Sequence, residues 1–156
     1  MAVITLITLI TAPIERVFDL SRSIDLHRLS LAHTNEKAID GRTEGLIECN
    51  ETVTWKAKHF GIYQTLTVKI IALNRPSSFT DSQQKGIFKC MHHTHSFSQE
   101  GLETIMQDRF EFSAPLGFLG KLAEYLFLEK YLYKLLLERN LVIKRIAETD
   151  EWKKLI

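Results

Sequence analysis

The sequence predicts an α+β domain: a curved antiparallel β-sheet of six to seven strands wrapped around one long C-terminal α-helix, with two short helices after the first strand. Three observations predict it. From Ala114 to Ala147 the chain carries Leu119, Leu122, Leu126, Tyr133, Leu136 and Leu137 at spacings of three, four and seven, with no Gly or Pro after Gly120. That is one apolar face of a helix. The middle of the chain alternates β-branched and aromatic runs with short turn signals, the pattern of a meander. Between them and the first strand lie two short segments with helical start signals. At 1.5 Å per residue the last helix would run roughly 45 Å, longer than a small domain is wide, so the sheet must wrap around it.

In order, Val3 to Thr11 reads as the first strand, ended by Ala12-Pro13. Pro13 suits the first turn of a helix, which runs to Ser23 with Ile14, Val17, Phe18 and Leu20 turned inward. Ser23 is an N-cap for a second short helix through His33. Asn35–Ile39 is a short strand, and Asp40-Gly41 turns the chain. Thr52–Phe60, Tyr63–Leu73 and Ser78–Gln84 follow as strands, separated by Gly61 and by Asn74-Arg75-Pro76. Phe88–Ser98 and Glu103–Phe112 are the last pair, joined near Glu100-Gly101. Lys121, Glu124, Lys134, Glu138 and Arg145 fall on the face of the long helix opposite its leucines. Pro115, Gly117 and Gly120 make the start of that helix either a gate or a compact strand-to-helix turn.

Several strings resemble the START-like superfamily, the helix-grip fold also called the SRPBCC or Bet v 1-like group. They are Ala12-Pro13-Ile14-Glu15-Arg16-Val17-Phe18-Asp19-Leu20, Val53 to Gly61, Arg75 to Asp81, Phe88 to Phe97 with its histidines, and Pro115 to Lys121. The resemblance covers nearly the whole chain as one domain, residues 1–156. It is nearest to bacterial single-domain ligand-binding and polyketide cyclase/dehydrase-like members. It implies a deep apolar cavity between sheet and helix that holds lipids, sterols, polyketides or other hydrophobic molecules. Some members catalyse cyclisation or dehydration there, but no catalytic set carries over to these residues.

Strand alternation assigns side chains to the inner face. Val53, Trp55, Ala57 and His59 share one phase, as do Phe79 and Asp81. So do Met91, His93, His95 and Phe97, and so do Met106, Asp108, Phe110 and Phe112. Three histidines and two aspartates therefore point inward. They either tether the sheet by hydrogen bonding one another, anchor the polar end of an apolar guest, or move protons. In the last case His93 or His95 with Asp108 would be the acid–base pair. His93-Thr94-His95 also puts two imidazoles on one strand face, with His59 or Asp108 as a third ligand, but a spacing of two does not by itself specify a metal. No metal and no cofactor is assigned. His92 has the outward phase, and His27 and His33 belong to the helical cap. Glu129 projects onto the middle of the apolar helix face, where a carboxylate needs an ion-pair partner or a wet cavity. With the cavity that the resemblance implies, its apolar lining is Trp55, Phe79, Phe110, Phe118, Leu122 and Tyr125. Its polar anchors are His59, His93, His95, Asp108 and Glu129.

Composition excludes other classes. The net charge is +1, from 20 basic and 19 acidic residues, with no basic run, so nucleic acid is not a partner. Charges interrupt the long helix too often for a membrane span, and the apolar first twelve residues lack the cationic start of a signal peptide. Two cysteines without a C-x-x-C fit a reducing cytoplasm. A nucleotide-binding Gly-rich loop, a G-x-S-x-G elbow and an H-E-x-x-H are all missing. The expected function is binding of a hydrophobic small molecule of lipid, polyketide or aromatic type. The alternatives are a cyclase/dehydrase-type enzyme in the same cavity, and a protein-interaction module with a filled core.

Overall fold

The first strand, β1 (Ala2–Ile10), alternates Ile4, Leu6, Thr8 and Ile10 inward with Val3, Thr5, Ile7 and Leu9 outward. The computed structural model to which it belongs describes residues 1–156, with the side chains of all but Glu124 and Tyr125. Helices α1 (Ile14–Ser21) and α2 (Ile24–Ser30) follow. Ser23 caps α2 as expected, its hydroxyl accepting from the Leu26 N–H at 3.2 Å. This helix is shorter than the sequence suggested and ends in a 3-10 turn, Ala32–Thr34. The strands are β2 (Lys37–Gly41), β3 (Thr52–His59), β4 (Ile62–Asn74), β5 (Ser78–Lys85), β6 (Cys90–Glu100) and β7 (Glu103–Ser113).

All seven strands form one antiparallel sheet in the order β1-β7-β6-β5-β4-β3-β2. Pairing of β1 with β7 makes α1 and α2 the crossover from one edge of the sheet to the other. Irregularities at Thr67/Val68 and Ile70/Ala72 of β4 and at Ala38/Asp40 of β2 bend the sheet. The resulting curve gives it a concave face. Phe18 of α1 packs edge-on against Phe79 and Phe97 on that face, with ring centroids 5.5 and 5.3 Å away. Buried Arg22 closes the same end by bonding Asp19 and Glu48, and Arg75 reaches Asp19 from the β4–β5 turn.

The long helix is α3 (Gly117–Ala123), a π-helical turn (Glu124–Leu128) and α4 (Glu129–Ala147). It starts from a compact turn in which Leu116 and Gly117 both have positive φ, 72° and 55°. Gly120 packs so closely on the Pro115 carbonyl that a Cβ would collide with it.

The buried face of this helix keeps Leu136 of the leucine stripe but is otherwise a different one. Leu135, Leu136, Arg139, Asn140, Ile143, Ile146 and Ala147 are buried, while Leu119, Leu122, Leu126 and Tyr133 are exposed. At about 100° per residue the buried face lies roughly a quarter turn from the expected one. Arg139 and Asn140, two polar residues, turn inward because a buried carboxylate of β7, Asp108, requires partners. A short helix, Asp150–Lys154, ends the chain, and Arg16 stacks over its Trp152 at 4.3 Å.

Candidate functional site

Pairing register builds the site. On the concave face Asp81 of β5 stands opposite His93 of β6. One step along, His95 stands between Phe79 of β5 and Asp108 of β7. Directly opposed side chains sit about 4.5–5.5 Å apart at Cβ, so the register forces these four polar groups together. His93 Nε2 donates to Asp108 Oδ1 at 2.9 Å. His95 Nε2 is 3.3 Å from Asp81 Oδ2. His95 Nδ1 comes within 3.0 Å of Asp108 Oδ1, but out of line for a hydrogen bond, so this contact is electrostatic. The two imidazoles lie 3.8 Å apart, and Phe79 stacks on His95 at 4.1 Å.

The long helix supplies the other half. Asn140 Nδ2 donates to Asp108 Oδ2 at 2.6 Å and also reaches Thr8 Oγ1. Arg139 donates to Asn140 Oδ1 and to the Ser21 carbonyl, with Nη1 3.6 Å from Asp108. Asp108 is fully buried. Burial alone would raise its carboxyl, but the hydrogen bond from His93 and the nearness of His95 outweigh it and hold the group well below the usual range. Asp81 is lowered in the same sense: burial opposes the shift, and the His95 contact overcomes it. His93 is pushed down to about 4 by burial and then by the neighbouring His95, so it is neutral at pH 7. Burial also lowers Arg139.

Above this cluster lies a cavity of about 400 Å³ between the sheet and the helices. Asp81, His93, His95 and Arg139 are among its lining residues. Its walls are mostly apolar, among them Trp55, Val68, Phe79, Met91, Phe110, Leu132 and Leu136. Phe60, Ile87, Pro115 and Phe127 line it too and are themselves exposed, which marks the mouth. Phe60 meets Phe127 and Tyr131 there, at 5.7 and 4.5 Å.

Trp55, His59, Phe79, His93, His95 and Phe110 all line the cavity, and Asp108 sits directly behind the histidines. His59 does not join the cluster. It shares a 2.6 Å hydrogen bond with the Tyr131 hydroxyl, and burial lowers its pKa. Among the described residues, Asp81 rather than His59 is the third potential ligand beside His93 and His95. Phe118, 80% exposed, and Leu122, 44% exposed, are not in the cavity wall, and Glu129 is exposed as well. The rotated helix face is the reason. Tyr125 lies outside the described side chains. Sequence reasoning missed Arg139, Asn140, Glu36 and Tyr131, and put His27 in the cap only. His27 in fact lines the cavity, stacks on Trp55 at 4.3 Å and lies 3.2 Å from buried Glu36. A charged residue at helical spacing from Leu132, Leu135 and Leu136 was the available signal for Arg139.

No model of a known protein family matches the sequence, and no curated protein does. Solved structures do. A protein from Thermus thermophilus superposes with a TM-score of 0.72 at 16% identity, over 94% of this chain and 99% of that one. A START superfamily protein from Mycobacterium smegmatis gives 0.70 at 11% identity, over 94% and 97%. Major latex-like protein 151 from Panax ginseng gives 0.66 at 14% identity, over 95% and 98%. The chain therefore has the START-like, helix-grip fold that the sequence resembled.

Proposed function

We propose that this START-like chain binds a hydrophobic small molecule, with its apolar body against Trp55, Phe79 and Phe110 and a polar atom turned to the His93–His95–Asp81 end. The observation that carries this reading is the cavity itself, mostly apolar with the His93–His95–Asp81 cluster among its polar lining groups. About 300–1,000 Å³ with a few convergent polar groups is the usual form of a small-molecule site. A guest of lipid, polyketide or aromatic type fits that chemistry. The fold is consistent with it. The open volume of about 400 Å³ favours this reading over a protein-interaction module with a filled core.

The His93–Asp108 pair favours a second reading, proton transfer of the cyclase/dehydrase type. A neutral imidazole held by a buried carboxylate can take up a proton, because the carboxylate fixes its tautomer and offsets part of the burial that lowers His93. His93 or His95 would then be the base and Asp108 its orienting group. The two unpaired cysteines, Cys49 and Cys90, fit a reducing compartment such as the cytoplasm. Among the described residues no helix is long and apolar enough to cross a membrane.

Native mass spectrometry of freshly purified protein, followed by denaturation of the same sample, tests the binding reading. An organic adduct released on unfolding gives the guest a mass. If no adduct is present and a panel of fatty acids, sterols and aromatic polyketides all fail to bind, the reading is wrong. Turnover of a guest that stops in His93→Gln while binding persists would establish the enzymatic reading instead.

A further inference from the structure

We infer that Asp81, His93 and His95 form a binding site for a divalent transition-metal ion at the inner end of the cavity, with Asp108 orienting the imidazoles from behind. One donor atom from each of the three residues lies within 4.8 Å of the others. Tetrahedral zinc with donors at about 2.1 Å sets its ligand atoms roughly 3.4 Å apart. The His95 Nε2–Asp81 Oδ2 separation of 3.3 Å already meets that edge.

Proton bookkeeping on His95 asks for a positive charge. Both its nitrogens face carboxylate oxygens, Nδ1 at 3.0 Å from Asp108 and Nε2 at 3.3 Å from Asp81. A neutral imidazole carries one proton and can satisfy one of them. The other nitrogen then sets a lone pair against an anionic acceptor unless a second proton or a metal cation supplies the positive charge. His93 completes the set. Its Nε2 is held by Asp108, and its Nδ1 makes no hydrogen bond among the described residues. A carboxylate behind a ligating histidine is the usual support of such sites, since it fixes the ring and raises its basicity. Among the described residues, the two buried or half-buried carboxylates Asp81 and Asp108 approach one fixed cation, Arg139. Two imidazoles and one carboxylate suit zinc or iron(II) rather than magnesium or calcium. All three donors stand on paired strands, so their spacing is set by the sheet. The remaining coordination positions face the cavity. This inference stands whether or not an organic guest binds.

The test uses the full chain, freed of metal by a chelator. Zinc is titrated by calorimetry, and cobalt(II) is followed by its visible absorption. One ion per chain is expected, with intense cobalt bands of a low-symmetry site. Asp81→Asn and His93→Gln should each weaken zinc binding at least 10- to 100-fold, while His92→Gln, on the outward face of the same strand, leaves it unchanged. Binding that survives both substitutions, or no binding tighter than about 1 mM, overturns the inference. Should either variant fail to fold, ring ¹⁵N spectra of the wild type decide. Zinc must move the His93 and His95 resonances. Movement confined to His33 or His92, or a doubly protonated His95 that zinc leaves untouched, overturns it. Zinc uptake by protein without an organic adduct separates this result from the fate of the guest.

Discussion

Asp108→Asn tests whether the buried network holds the long helix to the sheet. The substitution keeps the shape of a side chain with no solvent exposure but removes its charge. Asp108 now accepts from His93 Nε2 at 2.9 Å and from Asn140 Nδ2 at 2.6 Å, with Arg139 Nη1 3.6 Å away. An asparagine amide can accept from one of those donors and must turn its own NH₂ on the other. Arg139 is left buried without its nearest counter-charge. Breaking a buried pair from one side costs about 3–5 kcal/mol, and each kcal/mol lowers the melting temperature of a chain this long by about 2–4 °C. The expected fall is therefore about 10 °C, with the urea midpoint reduced and the slope of the transition unchanged. Removing both charges at once, Asp108→Leu with Arg139→Met, should cost less than the sum of the single changes by about 1–3 kcal/mol. An Asp108→Asn protein within about 1 kcal/mol of wild type, or additive single changes, would refute the argument.

Three further outcomes follow from the same structure. Ala57→Phe projects a ring into the cavity and should abolish any organic adduct in native mass spectra, while stability changes by no more than about 1 kcal/mol, because the added volume meets space rather than packed atoms. Asp19, whose burial is outweighed by hydrogen bonds from Arg75 and Arg22, titrates below its ordinary 3.8. Its contribution to stability is thus complete above pH 3.8 and is lost as the pH falls through the lower, folded-state value. Asp19→Asn should accordingly be less stable than wild type by about 2 kcal/mol at pH 7, and the difference should close in acid; a gap that persists undiminished contradicts the pairing. Gly120→Ala sets a methyl against the Pro115 carbonyl. It should cost about 1–3 kcal/mol and speed amide exchange in α3 before that of α4.

Strand alternation by itself placed His93, His95, Asp81 and Asp108 on the inner face, because a period of two leaves a side chain only two choices. The order of elements, the Ser23 cap and the α+β class were legible for the same reason: each depends on local spacing. Nothing local told that Asp81 stands across from His93 and Asp108 from His95. That follows from pairing between strands distant in sequence. The helix face was misread because hydropathy rewards leucines wherever they lie, whereas the fold buries Arg139 and Asn140 to satisfy a carboxylate on β7. With that face set, Phe118, Leu122 and Glu129 left the site, and Leu132, Leu136 and Arg139 entered it. The cavity too belongs to tertiary structure. The aromatic residues that line it could equally have filled it, and only the distance at which the helix stands from the bent sheet leaves about 400 Å³ between them.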